Sequence, residues 1–341
     1  MRVHLKDIAA YTGVSIKTVS NVVNGNYDHV GPETRALVLD AIKKLNYQPN
    51  NAARHLRKAQ VNVLAYAFPD LSNPYFADIG HAIATEAARR NYTVLLDYTF
   101  SERDKELNIL TGMSPHLIDG LILDSHALDV EDIGQIKTSG PIVLLGERLF
   151  GAPLDHVLID NTAAAYTATR HLIERGKRRI AAIGVQKARS EAPSLRLQGF
   201  MRALTESHLP IDQSLLMDGG LWHRPDGAAA MQALLARPRE EWPDAIFCFN
   251  DLMALGAISV LGAAGCRIPE DIAVIGIDDI EDGRYANPPL SSIEPDKQEM
   301  ARIAVQLLLG RITGRRTQEP ESIYVPFRLH ARASTMGCKT D

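Results

Sequence analysis

The stretch that decides the fold is Leu5-Lys6-Asp7-Ile8-Ala9-Ala10-Tyr11-Thr12-Gly13-Val14-Ser15, near the start of a 341-residue chain. Its first seven residues place apolar side chains at helical spacing. The pattern then breaks at Gly13, which can adopt the positive φ that a sharp turn requires. Ser15 is a good N-cap for a second helix, predicted over Ser15–Asn24. Two short helices joined by a three-residue turn predict a helix-turn-helix.

The second helix has two chemically different faces. At about 100° per residue, one face carries Val19, Val22 and Val23. The opposite face carries Ile16, Lys17, Ser20, Asn21 and Asn24. Isoleucine is unusual on a solvated face, whereas the DNA major groove offers it a thymine methyl group. The pattern therefore favours a DNA-reading helix, although an ordinary helical hairpin with one polar face would show the same spacing.

A third helix is predicted to begin at Gly31-Pro32-Glu33-Thr34, because proline suits the first turn of a helix. Pro49 ends this region, since the residue before a proline is disfavoured in a helix. The short basic segment Asn51–Lys58 follows. The predicted packing face of the third helix comprises Ala36, Leu37, Val38, Ala41, Ile42 and Leu45.

Charge and composition narrow the class of protein. Residues 1–60 hold nine Lys and Arg against four Asp and Glu, a net +5, which leaves −9 for the rest of a chain whose total is −4. A basic end on an acidic body indicates a polyanionic partner for that end. The three cysteines form no C-x-x-C pair, so we expect neither a disulfide framework nor a metal site. We also expect a cytoplasmic protein without a membrane partner, because the sequence has no signal peptide and no long apolar run.

From Val61 onward, apolar strands alternate with helices, and the predicted strands include Thr93–Tyr98, Gly120–Asp124 and Ser322–Val325. One set of elements runs to about residue 160, and a second runs from there to about residue 290. Such alternation predicts two doubly wound parallel sheets, each covered by helices on both faces. Ligands of such folds bind at the carboxyl ends of the strands, in the cleft between the sheets.

The chain resembles the lac repressor (LacI/GalR) family of bacterial transcription regulators along nearly its whole length. The residues that carry the resemblance are Leu5–Ala9, Gly13–Ser15, Thr18–Ser20, Val22–Asn24, Leu45–Tyr47, Pro49–Asn50 and Ala53–Leu56. The resemblance implies a helix-turn-helix domain over 1–48, a hinge over 49–60 and an effector-binding body over 61–341. The body would have two periplasmic-binding-protein-like subdomains, about 61–160 with 291–324 and about 161–290 with 325–341. It also implies a homodimer that binds a pseudo-palindromic operator, most often as a repressor.

The family's functional positions can be carried over residue by residue. The DNA-contacting positions are Ser15, Ile16, Lys17, Thr18, Ser20, Asn21, Asn24, His29, Asn50, Ala53, Arg54 and Leu56. In the family the hinge folds as a pair on operator DNA, and the position of Leu56 inserts into the minor groove. The effector-contacting positions are Tyr75, Phe76, Asp124, Glu147, Ser190, Arg196, Trp222, Asn250 and Asp278. This set of aromatics, carboxylates, amide and arginine indicates a sugar or sugar derivative, although purine-binding members use similar positions.

Three positions depart from the family pattern. His4 and Gly31 replace better N-caps of the first and third helices, so the first helix is expected to fray. Gly146 stands where some members place a ligand-binding aspartate, which leaves Glu147 or Arg148 as candidates for that role.

Two other classes use a doubly wound fold. A cytosolic small-molecule enzyme would need a phosphate-binding glycine loop or a G-x-S-x-G nucleophile elbow, and the sequence has neither. A solute-binding transport protein would need export, which a DNA-binding N-terminus argues against. We therefore expect a regulator with no catalytic residues and no cofactor.

Overall fold

A computed structural model describes residues 3–23, 25–47, 61–112, 117–135, 140–186 and 191–337. The chain divides into two compact units, Met1–Val61 and Asn62–Asp341. We call the first unit the headpiece and the second the body.

The described residues of the headpiece form three helices, α1 (Leu5–Thr12), α2 (Ile16–Val23) and α3 (Pro32–Lys44). Gly13 ends α1 at a φ of 73°, in the left-handed region that glycine adopts without strain. The Ser15 hydroxyl accepts a hydrogen bond from the Thr18 backbone N–H at 3.1 Å and so caps α2. The predicted helix-turn-helix is confirmed.

A small apolar core holds these helices together. It consists of Ile8, Val19, Val22, Val38 and Ala41, with Val23, Ile42 and Leu45 packed against it. The inclusion of Ala36 and Leu37 in the packing face was wrong, since both are exposed. Each lies one or two residues before Val38, which turns its side chain about 100–200° away from the core face.

The first turn of α1 is capped despite the histidine before it. The Asp7 carboxylate accepts a hydrogen bond from the His4 backbone N–H at 2.7 Å. This backward contact is half of a capping box, and it satisfies a backbone donor at the helix start. The expected fraying is therefore opposed by the aspartate three residues along.

The first sheet of the body has six parallel strands in the order β11-β5-β4-β3-β1-β2. These strands are β1 (Val63–Phe68), β2 (Thr93–Tyr98), β3 (Gly120–Asp124), β4 (Ile142–Leu145), β5 (Asp155–Ile159) and β11 (Ser322–Val325). Its helices are α4 (Pro74–Ala88), α5 (Arg103–Thr111), α6 (Val130–Gln135) and α12 (Lys297–Ile312). Strands β3, β4 and β5 are buried along their whole length, as expected for a sheet covered on both faces.

The second sheet follows the order β12-β10-β9-β8-β6-β7 and is parallel except for β12, which pairs antiparallel with β10. Its strands are β6 (Ile180–Val185), β7 (Leu216–Asp218), β8 (Ala245–Cys248), β9 (Ala273–Ile277), β10 (Ser291–Pro295) and β12 (Phe327–His330). Its helices are α7 (Asn161–Glu174), α8 (Glu191–Glu206), α9 (Arg224–Leu235), α10 (Asp251–Ala263), α11 (Glu281–Arg284) and α13 (Ala333–Met336). We refer to the two sheets with their helices as the first and second subdomains.

The chain crosses between the subdomains three times. It passes from β5 to α7, returns after β10 to form α12 and β11, and crosses again at Pro326 to form β12. The return was placed too early at residue 291, because Ser291–Pro295 pairs with β9 in the second sheet. Strand β10, with the sequence Ser-Ser-Ile-Glu-Pro, has a single aliphatic residue, so its sequence does not indicate which sheet it joins.

Candidate functional site

The outward face of α2 is built as the sequence predicts. Ile16 is 54% exposed and Lys17 is also exposed, whereas Val19 and Val22 are buried. An exposed isoleucine beside an exposed lysine at the start of a helix is suited to contact base edges and phosphates.

The other DNA-contacting candidates differ in their surroundings. The Ser15 and Thr18 hydroxyls lie 2.9 Å apart and serve the helix cap, while His29 is exposed on the loop before α3. Ser20 and Asn21 are half-buried on α2. The remaining candidates, Asn24, Asn50, Ala53, Arg54 and Leu56, lie outside the described residues.

Arg196 is a buried cation of the second subdomain. It lies on α8 and is only 8% exposed. Its Nε donates to the Asn161 side-chain oxygen at 2.6 Å, and its Nη1 donates to the Phe249 carbonyl oxygen. The guanidinium also lies 5.2 Å from the centre of the Trp222 ring. These contacts fix the plane of the guanidinium, which is what directional binding of hydroxyl or carboxylate oxygens requires.

A hydrogen bond links Asn250 with Trp222. Trp222 has a φ of 66°, and its Nε1 donates to the Gly184 carbonyl oxygen at 3.1 Å. Asn250 caps α10 through its side-chain oxygen and donates from Nδ2 to the Trp222 carbonyl oxygen at 2.8 Å. Asn250 therefore fixes the Trp222 backbone, and the Gly184 carbonyl oxygen fixes the indole ring. The ring forms a flat wall beside Arg196.

Three aspartates after β8 and β9 have different environments. Asp251 is fully buried and accepts hydrogen bonds from the Ser292 hydroxyl and the Ile280 backbone N–H. Asp279 pairs with Arg284 and Arg332 at 2.6 Å each. These two are structural. Asp278, by contrast, has a φ of 118°, and burial raises its pKa to about 6 although the charges of Arg196 and Lys297 act to lower it.

Tyr75 connects this group with the first subdomain. Burial raises the pKa of the Tyr75 hydroxyl well above its usual value. The charges that raise it further come from both subdomains, namely Asp124, Asp278 and Glu147, while Arg196 lowers it. Charged side chains of both subdomains therefore lie near the Tyr75 hydroxyl. Phe76 lies beside them but is only 6% exposed and stacks on Phe68, so it belongs mainly to the core.

Asp124 occupies the space in front of Gly146. A Cβ atom at Gly146 would lie 3.0 Å from an Asp124 carboxylate oxygen, and Gly146 has a φ of 73°. The carboxylate at the end of β3 thus stands where some family members carry an aspartate at the end of β4. Burial, together with the charges of Glu147 and Glu106, raises the pKa of Asp124 to about 8.

Arg148 does not join this cluster. Its Nε donates to the Leu128 carbonyl oxygen at 2.7 Å, which braces the loop after β3. Of the two candidates for the role lost at Gly146, the structure therefore leaves Glu147, which is 9% exposed.

Two residues near the cleft were not predicted as effector contacts. Asn161, at the start of α7, orients Arg196. Lys297, at the start of α12, lies 5.8 Å from the centre of the Tyr75 ring and pairs with Asp78 at 2.6 Å. In the sequence, Lys297 could have been identified only as a residue that follows a strand of the second sheet. The boundary placed at residue 291 assigned that strand to the first subdomain. Ser190, a predicted contact, lies outside the described residues.

A cleft with fixed hydrogen-bonding groups, combined with a helix-turn-helix unit, defines the class of ligand-responsive DNA-binding regulators. Family comparisons agree: residues 4–50 match the model described as "Bacterial regulatory proteins, lacI family", and residues 169–335 match "Periplasmic binding protein-like domain". The chain belongs to the lacI family of bacterial regulatory proteins, which are regulators and not enzymes.

Individual relatives cover most of the chain. The "HTH-type transcriptional repressor PurR" of Haemophilus influenzae is 36% identical over 313 residues, 91% of each chain. The structure titled "transcriptional regulator CelR-cellobiose complex" is 33% identical, with a TM-score of 0.70, and covers 98% of this chain and 100% of that one. The lac repressor dimer bound to operator and the anti-inducer ONPF is 27% identical, with a TM-score of 0.84, covering 98% and 99%.

Within the described residues, no helix is both long and apolar enough to cross a membrane.

Proposed function

We propose that the protein is a dimeric repressor that binds a pseudo-palindromic operator and is controlled by a sugar or sugar derivative bound in the cleft. The observation that carries the proposal is the arrangement of Arg196, Asp278 and Trp222 opposite Tyr75. A carboxylate that accepts and a guanidinium that donates can grip neighbouring hydroxyl groups, and an indole can pack against sugar C–H groups.

The effector is assigned to a sugar because the cleft mixes donors, acceptors and flat rings. The relative solved with cellobiose supports this assignment. Relatives named PurR support a different ligand class, so nucleobases belong in any search for the effector.

Two contacts support control by closure of the cleft. His223 of the second subdomain lies 3.2 Å from the Asp70 carboxylate of the first. Lys297 pairs with Asp78 in the first subdomain and lies 3.5 Å from the Asp279 carbonyl oxygen of the second. A ligand that binds both subdomains would stabilise this closed arrangement and shift the population towards it.

An edge of the first sheet supports the dimer. Strand β2 lies at the end of the strand order, and both Leu95 and Leu96 are at least half exposed. Successive residues of a strand point to opposite faces, so both faces of β2 expose apolar surface at this point. Exposed apolar residues at a sheet edge favour a partner surface, and most homodimers use the same patch on both subunits.

A thermal-shift screen of sugars, sugar phosphates and nucleobases against the full-length protein tests the effector proposal. A true effector binds only the folded state and should raise the melting temperature. It should also change operator affinity in a mobility-shift assay. If a nucleobase does both and no sugar does either, the ligand class proposed here is wrong.

A further inference from the structure

A second cavity of about 530 Å³ lies where the chain crosses from β5 into α7. This volume is within the range of small-molecule sites, about 300–1,000 Å³. Its apolar walls include Leu158, Leu195 and two partly exposed aromatic residues, Phe150 at 50% and Tyr324 at 54%. The cavity therefore offers aromatic faces that the protein itself does not cover.

Asn161, a residue of the cavity wall, carries a buried hydrogen-bond donor without an acceptor. The Asn161 side-chain oxygen accepts from Arg196, and because a guanidinium only donates, this contact fixes the orientation of the amide. Within the described part of the chain, Asn161 Nδ2 has no acceptor, although the residue is only 1% exposed. A buried unpaired N–H costs free energy. A ligand oxygen that reached this N–H would remove that cost.

Two residues connect the cavity with the cleft. Glu147 lines the cavity, and its charge raises the pKa of both Tyr75 and Asp124 in the cleft. Asn161 lines the cavity and holds the cleft arginine, Arg196. A ligand that extends from the cleft past these two side chains would enter the cavity directly.

We propose that the cavity is a second subsite that takes an uncharged sugar unit, so that the effector is a disaccharide or a longer saccharide. This inference rests on the function proposed above. The described lining contains the carboxylates Glu147 and Asp160 but no lysine or arginine, which disfavours an anionic group. The aromatic faces of Phe150 and Tyr324 suit sugar C–H groups, and Asn161 Nδ2 can donate to a hydroxyl oxygen.

Titration calorimetry on the full-length protein tests the subsite, with cellobiose, maltose, lactose and sucrose as probes against glucose, galactose and fructose. We expect at least one disaccharide to bind about tenfold or more tighter than its own units. Gln198→Trp should fill the cavity from an exposed position, and Tyr324→Ala should remove an aromatic wall. Each should weaken that disaccharide by about tenfold and leave monosaccharide affinity unchanged.

Gln232→Trp provides a matched control, because Gln232 is an exposed glutamine on α9 and does not line the cavity. It should leave all affinities unchanged, and all three variants should melt like the parent. The subsite is overturned if monosaccharides bind as tightly as disaccharides, if no sugar binds, or if Gln198→Trp has no effect. A ligand lost in Arg196→Ala but unaffected by Gln198→Trp would retain the proposed function and remove the subsite alone.

Discussion

Arg196 and Asp278 are two buried charged residues in different surroundings. The guanidinium is held by two protein acceptors and an indole face. The carboxylate is buried enough for its pKa to rise to about 6, so it remains predominantly ionised at neutral pH. Keeping a charge in so buried a place costs free energy, and an opposite charge nearby reduces that cost. A ligand with neighbouring hydroxyls can use both groups at once.

Replacing Arg196 with alanine should abolish the response of operator binding to the effector. The ligand loses a directed donor, while the headpiece is a separate compact unit and should still bind DNA. Titration calorimetry and a mobility-shift assay measure the two properties separately. Arg202→Ala, an exposed arginine on the same helix, is the matched control and should change neither. Loss of operator binding together with early melting in Arg196→Ala would indicate a structural role instead.

The ionisation of Asp124 should make the free energy of unfolding depend on pH. Its folded-state pKa of about 8 lies above its usual value, so the folded protein binds this proton more tightly than the unfolded chain does. The resulting stabilisation is fully present below pH 4 and is lost as pH rises through 8. Asp124→Asn cannot ionise and should therefore be more stable than the parent at pH 8, by about 1 kcal/mol or more, and nearly equal at pH 4.

Urea unfolding of both proteins at several pH values measures this difference. A gap that stays constant between pH 4 and pH 8 would show that Asp124 ionises as an exposed carboxyl does.

At the scale of single residues, the sequence could identify side chains at strand ends but not their partners. Arg196, Trp222 and Asp278 could be predicted because they match family positions, and the structure brings them together. Asn161 could not, because its role depends on the approach of an arginine 35 residues later in the chain. The same holds for Asp124, whose relation to Gly146 exists only because β3 and β4 are neighbours.

At the scale of elements, we propose that α2 determines which DNA sequence is read. Exchanging Ile16 and Lys17 together for other residues should change the preferred half-site, because both lie exposed on the outward face while Val19 and Val22 hold the fold. Each good base contact contributes about 1–3 kcal/mol of discrimination. A binding-site selection with parent and variant measures the preference. Leu37→Ala, at an exposed position of α3, should leave it unchanged; an identical preference in the α2 variant would remove both residues from the reading face.

Strand β2 allows the dimer to be tested. Leu95→Glu should convert the dimer to a monomer, since a two-fold interface would bring the new charge close to its own copy. Sedimentation analysis gives the oligomeric state, and the melting temperature should change little because Leu95 is 50% exposed. Leu39→Glu, at an exposed position in the headpiece, should leave the dimer intact. A Leu95→Glu protein that still sediments as a dimer would place the interface elsewhere.

Elements with a strong local pattern could be predicted closely from the sequence. Strands Thr93–Tyr98, Gly120–Asp124 and Ser322–Val325 have the predicted bounds. The sequence predicted less accurately which sheet each strand joins, because this depends on tertiary contacts. The sheet membership of Ser291–Pro295 is decided by backbone hydrogen bonds to β9, and the sequence Ser-Ser-Ile-Glu-Pro gives no sign of them.

At the scale of the whole molecule, the division into a basic headpiece and an acidic body could be predicted from charge alone. The three crossings could not, since periodicity reports local structure and gives no information on which sheet a strand joins. These crossings place the two strand-end edges opposite each other and so create the cleft. The resemblance to a known family implied the crossings, which local sequence patterns do not indicate.

The division of labour between the two units can be tested by removing one of them. A protein lacking residues 1–60 retains the whole compact unit Asn62–Asp341 and should bind the effector with parental affinity but have no measurable affinity for operator DNA. The full-length protein should lose roughly a hundredfold or more in operator affinity between about 50 and 200 mM salt, because binding releases counterions from the DNA phosphates. Its affinity for an uncharged effector should scarcely change over the same range, since no counterions are released there. Fluorescence anisotropy with labelled operator, alongside calorimetry with the effector, measures both dependences on the same samples. Operator binding by the truncated body, or equal salt dependence of the two affinities, would show that the DNA-binding surface is not confined to the headpiece.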